Sequence, residues 1–151
     1  MSTQKQALQV VTERLEKEKP VIVHDAHDSG DYILLLKGLS SATLDRDLSA
    51  PEAQDPIMKY LKSIEPVLPF LNHTGMLSSD WDMHSIRIGD REVTGFAIPS
   101  GKLAVDMMEQ LYRDNDVPSP FTKLTTGADK GMIETIAELQ GLDGKGVGGR
   151  A

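Results

Sequence analysis

Two short apolar runs, Val21-Ile22-Val23 and Tyr32-Ile33-Leu34-Leu35-Leu36, bracket eight residues rich in turn formers, and no other feature constrains the fold as much. Runs this short suit strands better than helices. The segment between them, His24-Asp25-Ala26-His27-Asp28-Ser29-Gly30-Asp31, predicts a β-hairpin with Gly30 at a positive φ. The second run is apolar at successive positions, which predicts a strand buried on both faces. A second hairpin is expected over 84–98, where Ile86 and Ile88 lead into Gly89-Asp90 and the stretch Val93 to Ile98 returns.

Helical spacing accounts for most of the remainder. Ala7, Leu8, Val11 and Leu15 predict a helix over 3–18, stopped by Pro20. Residues 38–55 read as a mixed connector with a helical turn from Thr43 to Leu48. Asp55 as N-cap and Pro56 at the first helical position open the next helix, with Ile57, Leu61, Ile64 and Leu68 as its stripe. Pro66 ends or kinks it near Glu65. A third helix runs from Ser100 or Gly101 to Asp114, with Ala104, Met107, Met108 and Leu111 on its apolar face. Residues 115–125, holding Pro118 and Pro120, read as loop. A last helix covers about 127–140, with Thr126 and Asp129 in capping positions and Gly141 as its stop. The expected class is α+β: two antiparallel β-hairpins in one small sheet, packed with about four helices in the order α-ββ-α-ββ-α-α. Residues 1–140 read as one domain. Residues 141–151, with five glycines in eleven positions, read as a flexible tail.

Composition narrows the chemistry. A chain of 151 residues can bury a core without disulfides, and the absence of cysteine excludes thiol catalysis and Cys-ligated zinc. A formal charge of −7 and a pI near 5.0, with no basic patch, argue against direct nucleic-acid binding. No apolar run approaches the roughly 20 residues of a membrane span. The charged N-terminus lacks the apolar segment of a signal peptide, so a cytoplasmic location without membrane contact is expected. Gly144-Lys145-Gly146 has neither the preceding strand nor the following helix that a phosphate loop requires.

The one dense group of ligand-type side chains is His24, His27, Asp28 and Asp31, whose imidazoles and carboxylates suit a divalent metal such as zinc or manganese. Asp25-Ala26-His27 resembles the start of the Asp-Ala-His-x-Asp metal motif of arginase-like ureohydrolases, although Ser29 stands where that motif has its second Asp. His27-Asp28 is similar to the paired ligands of HD-type phosphohydrolases, which lie on helices. Asp28-Ser29-Gly30 resembles the nucleophile segment of chymotrypsin-like proteases, but Asp31-Tyr32 follows where that segment has Gly-Pro. Asp, Ser and Gly are equally what a turn requires. Asp80, Asp82 and His84 would share one face of an extended segment and could join the first group if the hairpins are neighbours.

Three functional readings follow. The first is a non-catalytic, acidic partner-binding protein of the chaperone, inhibitor or assembly type, with no cofactor, acting through an apolar helix face. Its candidate residues are Trp81, Met107, Met108 and Leu111. The size, acidity and element order are similar to those of small dimeric secretion chaperones, which implies a homodimer. The alternative is a small metal-dependent hydrolase built on the His/Asp group, with Asp82 or His84 as base. A weaker third reading is a DNA mimic with carboxylates along one face.

Overall fold

The computed structural model describes residues 3–26, 29–44, 50–78, 82–88, 91–126 and 131–142. Helix α1 (Thr3–Glu16) turns Leu8, Thr12 and Leu15 inward, one buried residue per turn. The chain reverses at Lys19 (φ 45°) and enters strand β1 (Val21–His24). This strand pairs antiparallel with β2 (Tyr32–Leu35), in register from Val21↔Leu35 to His24↔Tyr32. The turn closes as expected: Gly30 has φ 76° and its N–H donates to the Asp25 carbonyl at 2.7 Å.

Helix α2 (Lys37–Thr43) occupies part of what reads as connector in the sequence. Its Gly, Ser and Thr are poor helix formers, so tertiary contacts hold it. The Glu18 carbonyl accepts from the Lys37 N–H at 2.7 Å, and the Glu18 carboxylate accepts from the Gly38 N–H at 3.0 Å. Most of the expected turn from Thr43 to Leu48 lies outside the described residues. Helix α3 (Gln54–Ser63) is preceded by a tight helical turn at Pro51–Ala53, which moves Asp55 from the cap into the first turn. The break near Glu65 occurs as the prolines require, through a tight turn at Glu65–Val67. A short helix α4 (Leu68–His73) follows, with Pro69 in its first turn, where a proline is tolerated.

Strands β3 (Met83–Ile88) and β4 (Arg91–Ala97) form the second hairpin, and Gly89 and Asp90 lie outside the described residues. Helix α5 (Lys102–Asp114) begins where the sequence placed it, but its inward face is Ala104, Val105, Met108 and Tyr112. Val105 and Tyr112 complete that stripe and leave Met107 outside it. Strand β5 (Thr122–Thr125) falls within the segment expected to be loop. Helix α6 (Met132–Leu139) ends on Gly141 (φ 67°), with the Leu142 N–H bonded to the Ala137 carbonyl at 2.7 Å, a glycine stop of the expected kind. Thr126 is described, whereas Asp129 and the tail from residue 143 lie outside the described residues.

The strands make one sheet in the order β3-β4-β2-β1-β5. Its character corrects the purely antiparallel expectation, because β5 runs parallel to β1, from Val21↔Thr122 to His24↔Thr125. Side-chain alternation divides the core in two. Ile22, Leu34 and Phe96 face the layer of α1, α3, α4 and α5, whereas Val21, Val23, Ile33, Leu35, Ile86 and Val93 face α6. Strand β2 is thus covered on both sides, as its unbroken apolar run predicts. The Gln140 side chain ties α6 to the hairpin by donating to the carbonyls of Lys19 (3.0 Å) and Leu35 (3.2 Å). Among the described residues, no helix is long and apolar enough to cross a membrane.

Candidate functional site

The sheet register decides how the His/Asp group is arranged. His24 lies on the face of Ile22 and Leu34, and its ring stacks on Tyr32 with centroids 4.2 Å apart and planes within 6°. His84 shares the opposite face with Ile86, and its Nδ1 lies 3.9 Å from Asp31 Oδ2. The two hairpins therefore do meet, through Asp31 and His84, but His24 points away from that meeting. His27 and Asp28 lie outside the described residues, as do Asp80 and Trp81. Among the described residues, no three His, Asp or Glu side chains gather as metal ligands would. The turn uses its own polar groups: Ser29 Oγ donates to Asp25 Oδ2 at 3.2 Å and accepts from the Asp31 N–H at 3.1 Å.

A hollow of about 240 Å³ lies where His24 and Tyr32 face Lys102, Asp106 and Lys123. Its lysines are matched by carboxylates, Lys102 with Asp106 at 2.6 Å and Lys123 with Glu109. The hydrogen bond that Lys102 donates to Asp106, followed by the charge of that carboxylate, holds the Lys102 ammonium above its ordinary pKa. With both cations paired, the hollow presents little net field to an anion. Elsewhere, burial first and the neighbouring Glu18 carboxylate second push the Tyr60 phenol far above its ordinary value, so it stays neutral.

Of the partner-binding candidates, Met107, Met108 and Leu111 lie around a larger hollow of about 370 Å³, formed where α1, α4 and α5 meet. Ala7 and Leu8 from α1, Phe70 from α4, and Met107, Met108 and Leu111 from α5 give it apolar walls. Gln4, His73 and Thr74 supply its polar edge. The helices are held at this spacing by a buried bond between α1 and α5. Thr12 Oγ1 donates to the Leu8 carbonyl at 2.6 Å and so accepts from the Tyr112 hydroxyl at 2.8 Å.

The candidate residues divide by exposure. Met108 is 1% exposed and forms the floor, Leu111 is half-buried in the wall, and Met107 is 57% exposed on the lip. Leu103, one turn earlier, is 63% exposed and extends the same apolar ridge. The sequence reading did not single out Leu103, although its i, i+4 relation to Met107 was there to be seen. Ala7 and Phe70 could not have been grouped with Met107 without knowing how the helices pack.

Comparison with protein-family models, with curated proteins and with solved structures finds no match. The class is therefore set by architecture alone: an α+β protein with a mixed five-stranded sheet, helices on both faces and an apolar hollow between three of them.

Proposed function

We propose that this chain is a non-catalytic, acidic partner-binding protein of the chaperone, inhibitor or assembly type, and that apolar side chains of the partner enter the groove between α1, α4 and α5. The observation that carries the reading is the juxtaposition of this hollow with the exposed ridge of Leu103 and Met107. Fully covering one aliphatic side chain contributes roughly 1.5–3 kcal/mol, so a few such contacts support a measurable affinity. Methionine at the lip adapts to partners of different shape. The charge of −7 favours a partner with a basic rim over any nucleic acid.

A basic amphipathic peptide of leucine and lysine is a suitable probe, because helix-in-groove recognition reads apolar anchors at helical spacing. Titrated into isotopically labelled protein, it is expected to shift the amide signals of Ala7, Phe70, Met107 and Leu111. Met107→Glu should weaken the peptide about tenfold or more, as a charge replaces a buried contact of about 1.4 kcal/mol or above, with the circular dichroism unchanged. Shifts confined to the hairpin turn at Asp25–Asp31, or none at millimolar peptide, would remove the reading.

A second reading, a small metal-dependent hydrolase with His24, His27, Asp28 and Asp31 as candidate ligands, draws its support from the approach of Asp31 to His84, a pair that His24 on the opposite sheet face does not join. On that reading, zinc or manganese raises the melting temperature of the chain but not that of His84→Ala. No stoichiometric metal by elemental analysis, together with no thermal shift, would exclude it.

A further inference from the structure

We infer that the hollow between α5 and the ends of β1 and β5 binds a small zwitterion, a free α-amino acid with an apolar side chain. This goes beyond the partner-binding reading and does not depend on it, because the two hollows draw on different residues of α5. Sheet register builds the floor. Ile22 pairs with Lys123 and His24 with Thr125, so these four residues share one face at the carboxyl ends of the two strands. Tyr32 continues the row on the far side of His24. Among the described residues β1 and β5 are the one parallel pair, and the chain leaves β1 for β2 but β5 for α6. In open sheets, the crevice outside the carboxyl ends of parallel strands, where connections part, is where ligands settle. Helix α5 forms the facing wall with Lys102, Val105 and Asp106, at i, i+3 and i+4. A Cβ at Gly101 would lie 3.5 Å from Tyr32 Cδ1, so the start of α5 rests against that ring.

Charge selects the class of ligand. The ammoniums of Lys102 and Lys123 are balanced by the carboxylates of Asp106 and Glu109, so neither a simple anion nor a simple cation is drawn in. A ligand that carries both charges meets a partner for each. Its carboxylate takes a lysine and its ammonium takes Asp106, and no net charge is left unmatched. The Lys102–Asp106 pair is exposed, and pairs of this kind hold weakly enough to exchange partners. Size limits the occupant further. Sites for drug-sized ligands measure roughly 300–1,000 Å³, so a hollow of about 240 Å³ suits a molecule nearer an amino acid. The stacked rings of His24 and Tyr32, with Val105 opposite, give an aliphatic side chain its apolar contact.

Titration of leucine into isotopically labelled protein tests this directly. Two controls share its carbon skeleton: isocaproate lacks the ammonium and isoamylamine lacks the carboxylate. Leucine should shift the amide signals of His24, Val105, Lys123 and Thr125 at millimolar concentration or below. Each single-charge analogue should bind at least about tenfold more weakly. Asp106→Asn, at an exposed position, should weaken leucine about tenfold without weakening isocaproate, with the circular dichroism unchanged. The analogue series reads the charge requirement in the unaltered chain, so the test stands whether or not that variant folds. Either analogue binding as tightly as leucine would overturn the inference, as would no shift at tens of millimolar leucine. Shifts at Ala7 and Phe70 in place of these would also overturn it, because they would put leucine in the groove of α1, α4 and α5. The basic peptide, titrated separately, reports on that groove alone, so the failure of one reading is told apart from the failure of the other.

Discussion

Phe96→Ala is expected to destabilise the protein by about 3–5 kcal/mol, a large part of the roughly 5–15 kcal/mol that holds a domain together. Phe96 is fully buried and sits opposite Leu34 in the β4–β2 ladder, inside the cluster that joins the sheet to Leu8, Leu71 and Met108. Truncation removes the ring's burial and leaves a cavity that neighbours on a sheet can only partly close. Urea denaturation should show a lower midpoint with an unchanged slope. A loss below about 1 kcal/mol would mean that the ring does not fill the layer between the sheet and α5.

Gly95→Ala, one residue away, acts by the opposite mechanism and is expected to cost about 2–3 kcal/mol through overpacking. A Cβ at Gly95 would lie 2.5 Å from the Leu34 carbonyl oxygen, 2.5 Å from Leu35 Cδ2 and 2.8 Å from Ile33 Cγ2. The side chains could turn aside, but the carbonyl belongs to a central strand paired on both edges and cannot retreat without bending the sheet. Thermal unfolding should place this variant several degrees below the wild type, at about 2–4 °C per kcal/mol for a chain of this size. An unchanged melting temperature would show that β2 and β4 do not approach so closely.

What the sequence disclosed was whatever its local pattern determines. Both hairpins, the burial of β2 on two faces, the start of α5 and the glycine stop after α6 follow from residues within a few positions of each element. The parallel strand β5 did not announce itself, because Thr122-Lys123-Leu124-Thr125 has one apolar residue and becomes a strand only by pairing with β1. Helix α2 escaped for a similar reason, its poor formers being held by Glu18 from a distant turn. On α5, Met107 and Met108 looked alike by spacing. Tyr112, bonded to Thr12, decides which of them turns inward. Alternation along β1, and not composition, separates His24 from Asp31 and His84, while His27 and Asp28 lie outside the described residues. The groove required helices from three parts of the chain, and only its α5 wall was visible beforehand.

The pairing of β1 with β5 also bears on how the chain is made. His24 and Thr126, bonded between backbone atoms at 3.0 Å, are 102 positions apart in sequence. During synthesis from the N-terminus, the β1–β2 hairpin emerges and can form long before Thr122–Thr125 leaves the ribosome. Throughout that interval the outer edge of β1 presents the unpaired backbone of Val21, Ile22 and Val23, a template to which another nascent chain could add a strand. When β5 arrives, it closes that edge with a strand whose outward side is largely polar. Its few residues thus guard the growing polypeptide against its neighbours, a protection that comes only after most of the sheet is built.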